Sequence, residues 1–270
     1  MYQVRSSPSP FLQSVTFIHC NVSKEQDVSA AVDLAMEKHG KLDIMLNNAG
    51  VGDRHRSSVA EYEMEQFEDP MNANVKGVMH GIKHAARVMI PKRKGCIIST
   101  GSTAGIMGGT APHAYTASEH AIIGLTTNGA AELGRYGIKS NCVSPSFVAT
   151  RTAIDCVGKG KDEVEAWGCS VGNLKGTILK AEDIAEAALY LASDESKYSP
   201  LHARYSSYGY NMWLHFSDMT EYNGWERWHV LYGGGRGIAH PNARECSTIE
   251  DDGQNKRSLL ALAKAARKPR

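Results

Sequence analysis

Short apolar runs alternate with longer, helically patterned segments between residues 15 and 192 of the 270-residue chain. The short runs are rich in Ile, Val and Leu, whereas the longer segments place their apolar residues on one helical face. Strands that alternate with amphipathic helices are typical of a parallel sheet covered by helices. The pattern therefore predicts an α/β fold.

Four strands and four helices are predicted in this region. The strands span residues 15–20, 42–46, 96–100 and 138–143. One helix follows a capping box formed by Ser23 and Gln26, and the others span residues 71–89, 114–135 and 182–192. Pro70 is expected in the first turn of the second helix, where proline is tolerated.

The character of the chain changes after residue 197. Residues 198–245 are rich in Tyr and Trp but show little helical or strand periodicity, so no structure is predicted for them. Residues 256–268 form a basic helix candidate, either solvated, loosely docked or lying on a membrane surface. We expect a disordered segment at 1–14, one domain at 15–197 and a divergent tail at 198–270.

Charge and composition exclude several classes of protein. Thirty Lys and Arg residues against 29 Asp and Glu give a formal charge of +1, so non-specific capture of nucleic acid or anionic membrane is not expected. No apolar stretch approaches the roughly 18 residues of a membrane span, and the start lacks a signal-peptide core, which favours a cytoplasmic protein. The six cysteines form no CxxC pair, so neither zinc nor any other metal site is predicted.

Five segments occur in order at the predicted strand ends or on the following helices: LDIMLNNAG, NANVKG, STGSTAG, HAYTASEHA and NCVSP. Together they resemble the short-chain dehydrogenase/reductase family. The segments HAARVMIP, NLKGTILKAED and YLASDESKY further resemble its plant secoisolariciresinol dehydrogenase-like branch. The resemblance implies a Rossmann-type doubly wound sheet, NAD or NADP as cofactor, and a small secondary alcohol or ketone as substrate.

The resemblance also implies roles for individual residues. Ser102 would hydrogen-bond the substrate oxygen, Tyr115 would exchange a proton with it, and Asn74 would hold a water in the proton relay. Hydroxyl groups suit these roles because they both donate and accept hydrogen bonds. The residues expected to contact the cofactor are Asn21, Asn48, Ala49, Gly50, Pro145, Val148 and Thr150. Most follow strands, and the carboxyl ends of parallel strands share one edge of a sheet.

Two departures from the family pattern are visible. Glu119 occupies the position where family members carry the catalytic Lys, and its charge is expected to raise the pKa of Tyr115. The alternative to a genuine substitution is a sequence error, since a single base change converts a Lys codon to a Glu codon. Family members also begin with a strand, a TGxxxGxG turn, a helix and a second βα unit, all before the strand predicted at 15–20. Only residues 1–14 precede that strand here, so the sheet is expected to lack its first two strands and to expose an apolar edge.

Residues 230–239, VLYGGGRGIA, superficially match a strand followed by TGxxxGxG. A circular permutation would restore the phosphate-binding turn, although Pro241 follows at once and interrupts the helix that the turn must open. Alternatively, residues 230–232 correspond to the family's final strand, or the match is a coincidence within a divergent tail. The sequence leaves these alternatives open.

Three functional hypotheses remain. The first is an NAD(P)-dependent oxidoreductase of plant specialised metabolism with impaired activity. The second is a catalytically silent binding or oligomer-partner protein, pairing as a homo-oligomer through helices 71–89 and 114–135. The third is a truncated product without a stable fold. Cofactor binding separates the first two.

Overall fold

The computed structural model describes residues 16–53, 58–172 and 176–197. All of them lie in the first of two units, residues 1–229 and 230–270. The predictions for 1–14, for the aromatic segment 198–245, for the glycine-rich run 230–239 and for the basic helix 256–268 lie outside the described residues.

The described residues form a parallel sheet of three strands. Strands β1 (Ile44–Asn47), β2 (Gly95–Thr100) and β3 (Ile138–Val143) lie side by side in chain order, with β2 in the centre. In its register, Ile44 pairs with Cys96 and Gly95 pairs with Ile138. Three of the four predicted strands are therefore confirmed to within two residues.

Seven α-helices connect and cover these strands within the described residues. They are α1 (Glu25–His39), α2 (Glu65–Pro70), α3 (Gly77–Met89), α4 (His113–Leu133), α5 (Arg151–Val157), α6 (Lys161–Val171) and α7 (Ala181–Ala192). The predicted helices 71–89, 114–135 and 182–192 all appear among them. No helix within these ranges is both long and apolar enough to cross a membrane.

Helices pack against both faces of the sheet because successive residues of a strand point in opposite directions. On one face, Ile97 packs with apolar side chains of α3 and α4, including Met89 and Ile122. On the other face, Ile98 packs with Leu191 of α7. These five side chains are at least 98% buried, and each contributes roughly 1.5–3 kcal/mol of hydrophobic stabilisation. The α/β, doubly wound fold class is thus confirmed.

The strand predicted at 15–20 is wrong. Residues 16–20 form no strand, and Phe17 is 88% exposed. An isolated extended segment has no partner for its backbone N–H and C=O groups, so its β-rich composition alone does not make it a strand. The expected exposed apolar edge is found instead on β1, where Ile44 and Leu46 are 47% and 50% exposed.

The second predicted helix begins earlier than expected. A continuous helical stretch starts at Glu65, and Pro70 lies at the end of α2 rather than in the first turn. A π-helical segment, Met71–Lys76, follows and leads into α3. Proline removes one helical hydrogen bond, and a wider turn accommodates such an interruption. The π-helical segment buries Asn74, which is 1% exposed.

The capping box predicted at Ser23 is also wrong. The residue before α1 is Lys24, and the Ser23 hydroxyl donates to Asn21 Oδ1 at 2.8 Å instead. The Asn21 backbone N–H in turn donates to Asp27 Oδ2 at 2.9 Å. Local side-chain bonds of this kind compete with capping, and here they organise the loop before the helix.

Candidate active site

The loops after the three strands meet at one edge of the sheet and are joined by hydrogen bonds. Thr100 Oγ1 donates to Asn48 Oδ1 at 2.9 Å, which links the ends of β1 and β2. The backbone N–H of Thr103 donates to the carbonyl of Pro145 at 3.0 Å, which links the ends of β2 and β3. Ligands of open α/β sheets bind in the crevice at this edge. The functional site is therefore expected there.

Ser102 and Tyr115 come together at this edge. Ser102 precedes the 3₁₀ turn Thr103–Gly105 and accepts a hydrogen bond from the Ala104 backbone N–H at 3.1 Å. Its side chain also lies near that of Tyr115, the third residue of α4. The Tyr115 residue is partly exposed, and burial of its hydroxyl is the largest cause of its raised pKa. The nearby Glu119 charge raises that pKa further, whereas the Ser102 side chain lowers it.

Glu119 lies one helical turn after Tyr115, on the same face of α4. It is 4% exposed, and its side chain lies near that of Tyr115. Burial raises the pKa of this carboxyl to about 8, against a smaller lowering by Tyr115. Near neutral pH the carboxyl is therefore largely protonated. Its Oε2 atom has no hydrogen-bond partner among the described residues.

Two glycines bring backbone close to Glu119. A Cβ on Gly105 would lie 2.7 Å from the Glu119 carbonyl oxygen, so only glycine lets the 3₁₀ turn pack this closely on α4. A Cβ on Gly101 would lie 3.0 Å from Cys142 Sγ and 3.5 Å from Glu119 Oε2. Gly105 therefore approaches the main chain of Glu119, whereas Gly101 adjoins its carboxyl group. The side chain is 4% exposed, and its burial dominates its pKa.

Asn74 is connected to α4 by a hydrogen bond to Ser118, a residue that the sequence motifs did not identify. Its Nδ2 donates to Ser118 Oγ at 3.0 Å, and the Ser118 hydroxyl donates to the Tyr115 carbonyl at 2.9 Å. Asn74 also binds both backbone groups of Val51, accepting from its N–H at 2.8 Å and donating to its carbonyl at 3.0 Å. The available signal was the position of Ser118 three residues after Tyr115, which places both on one side of the helix.

Replacing Asn74 with alanine is expected to lower the free energy of unfolding by about 2–4 kcal/mol. The change removes the bonds to Val51 and Ser118 and leaves buried polar groups without partners. Asn72→Ala in the same π-helical segment is the matched control, since Asn72 is only partly buried, and it should cost within about 0.5 kcal/mol. Urea denaturation of both variants measures the difference, and equal losses would contradict this role for Asn74.

The residues predicted to contact a cofactor are placed at several points. Asn48, Ala49 and Gly50 form an exposed loop after β1. Val148 accepts from the Thr150 N–H at 2.7 Å, and Thr150 Oγ1 accepts from the Ala153 N–H at the start of α5. Asn21 hydrogen-bonds Ser23, Lys24 and Asp27 around the start of α1. These contacts define local structure, and the proposed cofactor roles stay predictions.

Helices α5 and α6 follow the loop after β3. The Phe147 and Trp167 rings contact each other with centroids 4.0 Å apart and planes tilted by 51°, which holds α6 against this loop. Cys156 of α5 occupies the space that a side chain on Gly52 would need. The helical pair therefore packs directly against the loops that surround Tyr115.

A nicotinamide dinucleotide needs hydroxyl groups at its nicotinamide end and a site for its pyrophosphate. The exposed loop 48–50 and the hydroxyl groups of Ser102 and Tyr115 fit the nicotinamide end, whereas Glu119 Oε2 is buried and does not reach a sugar hydroxyl there. The pyrophosphate prefers a helix N-terminus without negative charge. The first turns of α1, α6 and α7 each carry two acidic residues and do not fit it.

Comparisons with known proteins agree with this arrangement. A protein-family profile described as Enoyl-(Acyl carrier protein) reductase matches residues 6–211. The chain is 50% identical over 183 residues to the mitochondrial borneol dehydrogenase of Lavandula x intermedia, covering 68% of each protein. It is 47% identical over 198 residues to the secoisolariciresinol dehydrogenase of Forsythia intermedia, covering 73% of this chain and 72% of that protein. The NADP-bound structure of ElxO matches with a TM-score of 0.64 at 26% identity, covering 72% and 77%.

Proposed function

Because the chain belongs to the short-chain dehydrogenase/reductase family, we propose that it is an NAD(P)-dependent oxidoreductase that interconverts a secondary alcohol and a ketone. Its plant relatives include alcohol dehydrogenases such as borneol and secoisolariciresinol dehydrogenases. The observation that carries the proposal is that Ser102 and Tyr115 lie near each other at the carboxyl edge of the sheet, where exposed loop 48–50 also lies.

The side chains of the site have different roles in this reaction. Ser102 orients the substrate oxygen, and Tyr115 exchanges a proton with it, since a hydroxyl both donates and accepts. Hydrogen bonds among Asn74, Ser118 and the Val51 backbone hold the loop after β1 against α4. These bonds fix the position of that loop relative to Tyr115. The nicotinamide cofactor, when bound, supplies or accepts the hydride.

The relatives suggest the class of substrate. Borneol is a bulky, apolar secondary alcohol with no charge, and the aromatic pair Phe147–Trp167 near the site suits an apolar substrate. We further propose a cytoplasmic protein that forms a homo-oligomer through the surfaces of α3 and α4. Met79 of α3 is 45% exposed and represents apolar area available for such contact.

Cofactor titration and turnover together test the proposal. NAD(H) and NADP(H) are titrated calorimetrically into the full chain, and borneol or related secondary alcohols are then added while the absorbance of the reduced cofactor is followed. We expect binding of at least one cofactor and alcohol-dependent reduction. A chain that is folded by circular dichroism and binds neither cofactor at millimolar concentration would overturn the proposal.

A second candidate, a catalytically silent oligomer partner, is favoured by one observation: the position of the family's catalytic Lys holds Glu119. This candidate predicts a defined oligomer without cofactor binding. Light scattering at several protein concentrations, combined with the calorimetric titration, separates it from the oxidoreductase.

A further inference from the structure

We propose that the contact between Gly52 and Cys156 fixes the position of α5 beside Tyr115, and thereby sets the size of the alcohol or ketone that the site accepts. The inference rests on the proposed function, because it names a specificity-determining contact for that same reaction. Gly52 and Cys156 act through the position of α5, without a chemical role in hydride or proton transfer.

The first support is the closeness of the two residues. A Cβ on Gly52 would lie 2.1 Å from Cys156 Sγ, far inside the distance of a van der Waals contact. The next nearest atoms, Cys156 Cβ and Thr152 Cγ2, would lie at 3.6 and 3.7 Å, which are ordinary contact distances. The Cys156 sulfur therefore fills the place of a side chain at position 52, and it alone makes the approach this close.

The second support is the fixed position of the loop before Gly52. Asn74 accepts a hydrogen bond from the Val51 N–H at 2.8 Å and donates to the Val51 carbonyl at 3.0 Å. Asn74 also donates to Ser118, whose hydroxyl donates to the Tyr115 carbonyl. These bonds connect the residue before Gly52 to the helical turn that carries Tyr115, so Gly52 lies next to the site.

The loop after Gly52 is held as well. Asp53 is 5% exposed and accepts a hydrogen bond from the Tyr62 hydroxyl at 2.7 Å. The Tyr62 ring contacts the ring of His113, the first residue of α4, edge-on with centroids 5.6 Å apart. Because the residues on both sides of Gly52 are anchored, the loop has little freedom to yield when a side chain is added.

Helix α5 is the side of the contact that can move. It has seven residues, and none of them is buried. The ion pair between Arg151 and Asp155 lies within the helix and does not fix it to the rest of the chain. A short side chain on a helix has two of the three χ1 positions open, so the Cys156 sulfur has little room to turn aside. A side chain at position 52 is therefore expected to push α5 outward.

A shift of α5 changes the space beside Tyr115. The Cys156 side chain lies near that of Tyr115, and α6 follows α5 directly along the chain. One methylene group more or less in a site that fits its substrate changes kcat/KM by roughly 10–200-fold. The contact at Gly52 therefore affects the choice between small and bulky alcohols.

A double-mutant cycle tests the contact. We expect Gly52→Ala to raise the ratio of kcat/KM for borneol to that for cyclohexanol by about tenfold, because α5 moves outward and the site widens. In the Cys156→Ala background the clashing sulfur is absent, so the same change should alter the ratio by less than about twofold. Gly134→Ala, at the far end of α4, is the matched control, since a Cβ there meets no atom within 4 Å, and it should leave the ratio unchanged.

Alkylation of Cys156 measures the position of α5 without turnover. Iodoacetamide is added to the folded chain, and the modified peptide is followed by mass spectrometry. Cys156 should react about tenfold faster in Gly52→Ala than in the wild type, because outward movement of α5 exposes the sulfur. Gly134→Ala should match the wild type. Equal rates in Gly52→Ala and the wild type overturn the proposal, because α5 has then stayed in place.

The two measurements distinguish the failure of each proposal. Turnover with an unchanged alcohol ratio, or with a Gly52→Ala effect that persists in the Cys156→Ala background, overturns the contact as a specificity determinant and leaves the oxidoreductase standing. Faster alkylation without cofactor binding or turnover overturns the oxidoreductase, and with it the role of the contact in substrate choice. Cys156→Leu enlarges the other side of the contact and should raise the ratio in the same direction, which decides the question if Gly52→Ala does not fold.

Discussion

Tyr115→Phe is expected to lower kcat for alcohol oxidation by about 10²–10⁴-fold, the usual contribution of a positioned acid–base group. The ring is kept, so the packing of α4 changes little, but the hydroxyl that lies near Ser102 and Glu119 is lost. Cofactor affinity should stay within about twofold, because the change removes proton transfer rather than a binding surface. Steady-state kinetics and calorimetric titration measure the two effects separately.

Tyr136→Phe is the control for this experiment. The Tyr136 ring lies near the guanidinium groups of Arg93 and Arg135, with carbon-to-centroid distances of 5.9 and 5.6 Å, and these contacts do not need the hydroxyl. Its kcat should match that of the wild type. A Tyr115→Phe variant that turns over at the wild-type rate would remove Tyr115 from the reaction and point to another proton donor.

Glu119→Gln is expected to make the protein more stable than the wild type at alkaline pH, by up to about 4–5 kcal/mol. The folded pKa of Glu119, about 8, lies above its model value of 4.5, so the folded state binds a proton that the unfolded state releases. The stabilisation from the protonated form is complete below about pH 4.5 and is lost as the pH rises through about 8. Glutamine keeps the shape but carries no proton to lose.

Urea denaturation at a series of pH values measures this effect. The free energy of unfolding of the wild type should fall relative to that of Glu119→Gln between about pH 4.5 and 8, and the two curves should run parallel outside that interval. Glu132→Gln, at an exposed position of α4, should follow the wild type throughout. If the Glu119→Gln and wild-type curves run parallel over the whole range, Glu119 is ionised in the folded protein at neutral pH.

Two of the three strands that could be predicted, β2 and β3, are largely buried, whereas β1 is partly exposed. Ile97 and Ile98 of β2 pack on opposite sides of the sheet, so both positions are apolar in the sequence. Residues 15–20 are also rich in β-branched and apolar residues, yet no strand forms at 16–20. Strand formation depends on a hydrogen-bonded neighbour, and that neighbour is not encoded in the run itself.

The candidate site shows a similar division. The resemblance to the family identified Ser102, Tyr115, Asn74 and Glu119, and the structure places Ser102 and Glu119 near Tyr115. The raised pKa of Glu119 was not predictable, because it follows from burial of the side chain and not from residue type. The π-helical segment that turns Asn74 inward also has no clear signal in the sequence apart from Pro70.

The exposed edge of β1 affects the reversibility of thermal unfolding. Ile44 and Leu46 are about half exposed on a strand whose outer backbone groups have no sheet partner among the described residues. Such an edge is a template for intermolecular strand pairing once heating loosens the chain. Thermal unfolding then becomes irreversible, and the apparent Tm becomes a kinetic quantity that depends on scan rate and protein concentration. The half-life of the native state at a given temperature, rather than an equilibrium midpoint, is the appropriate measure of its heat resistance.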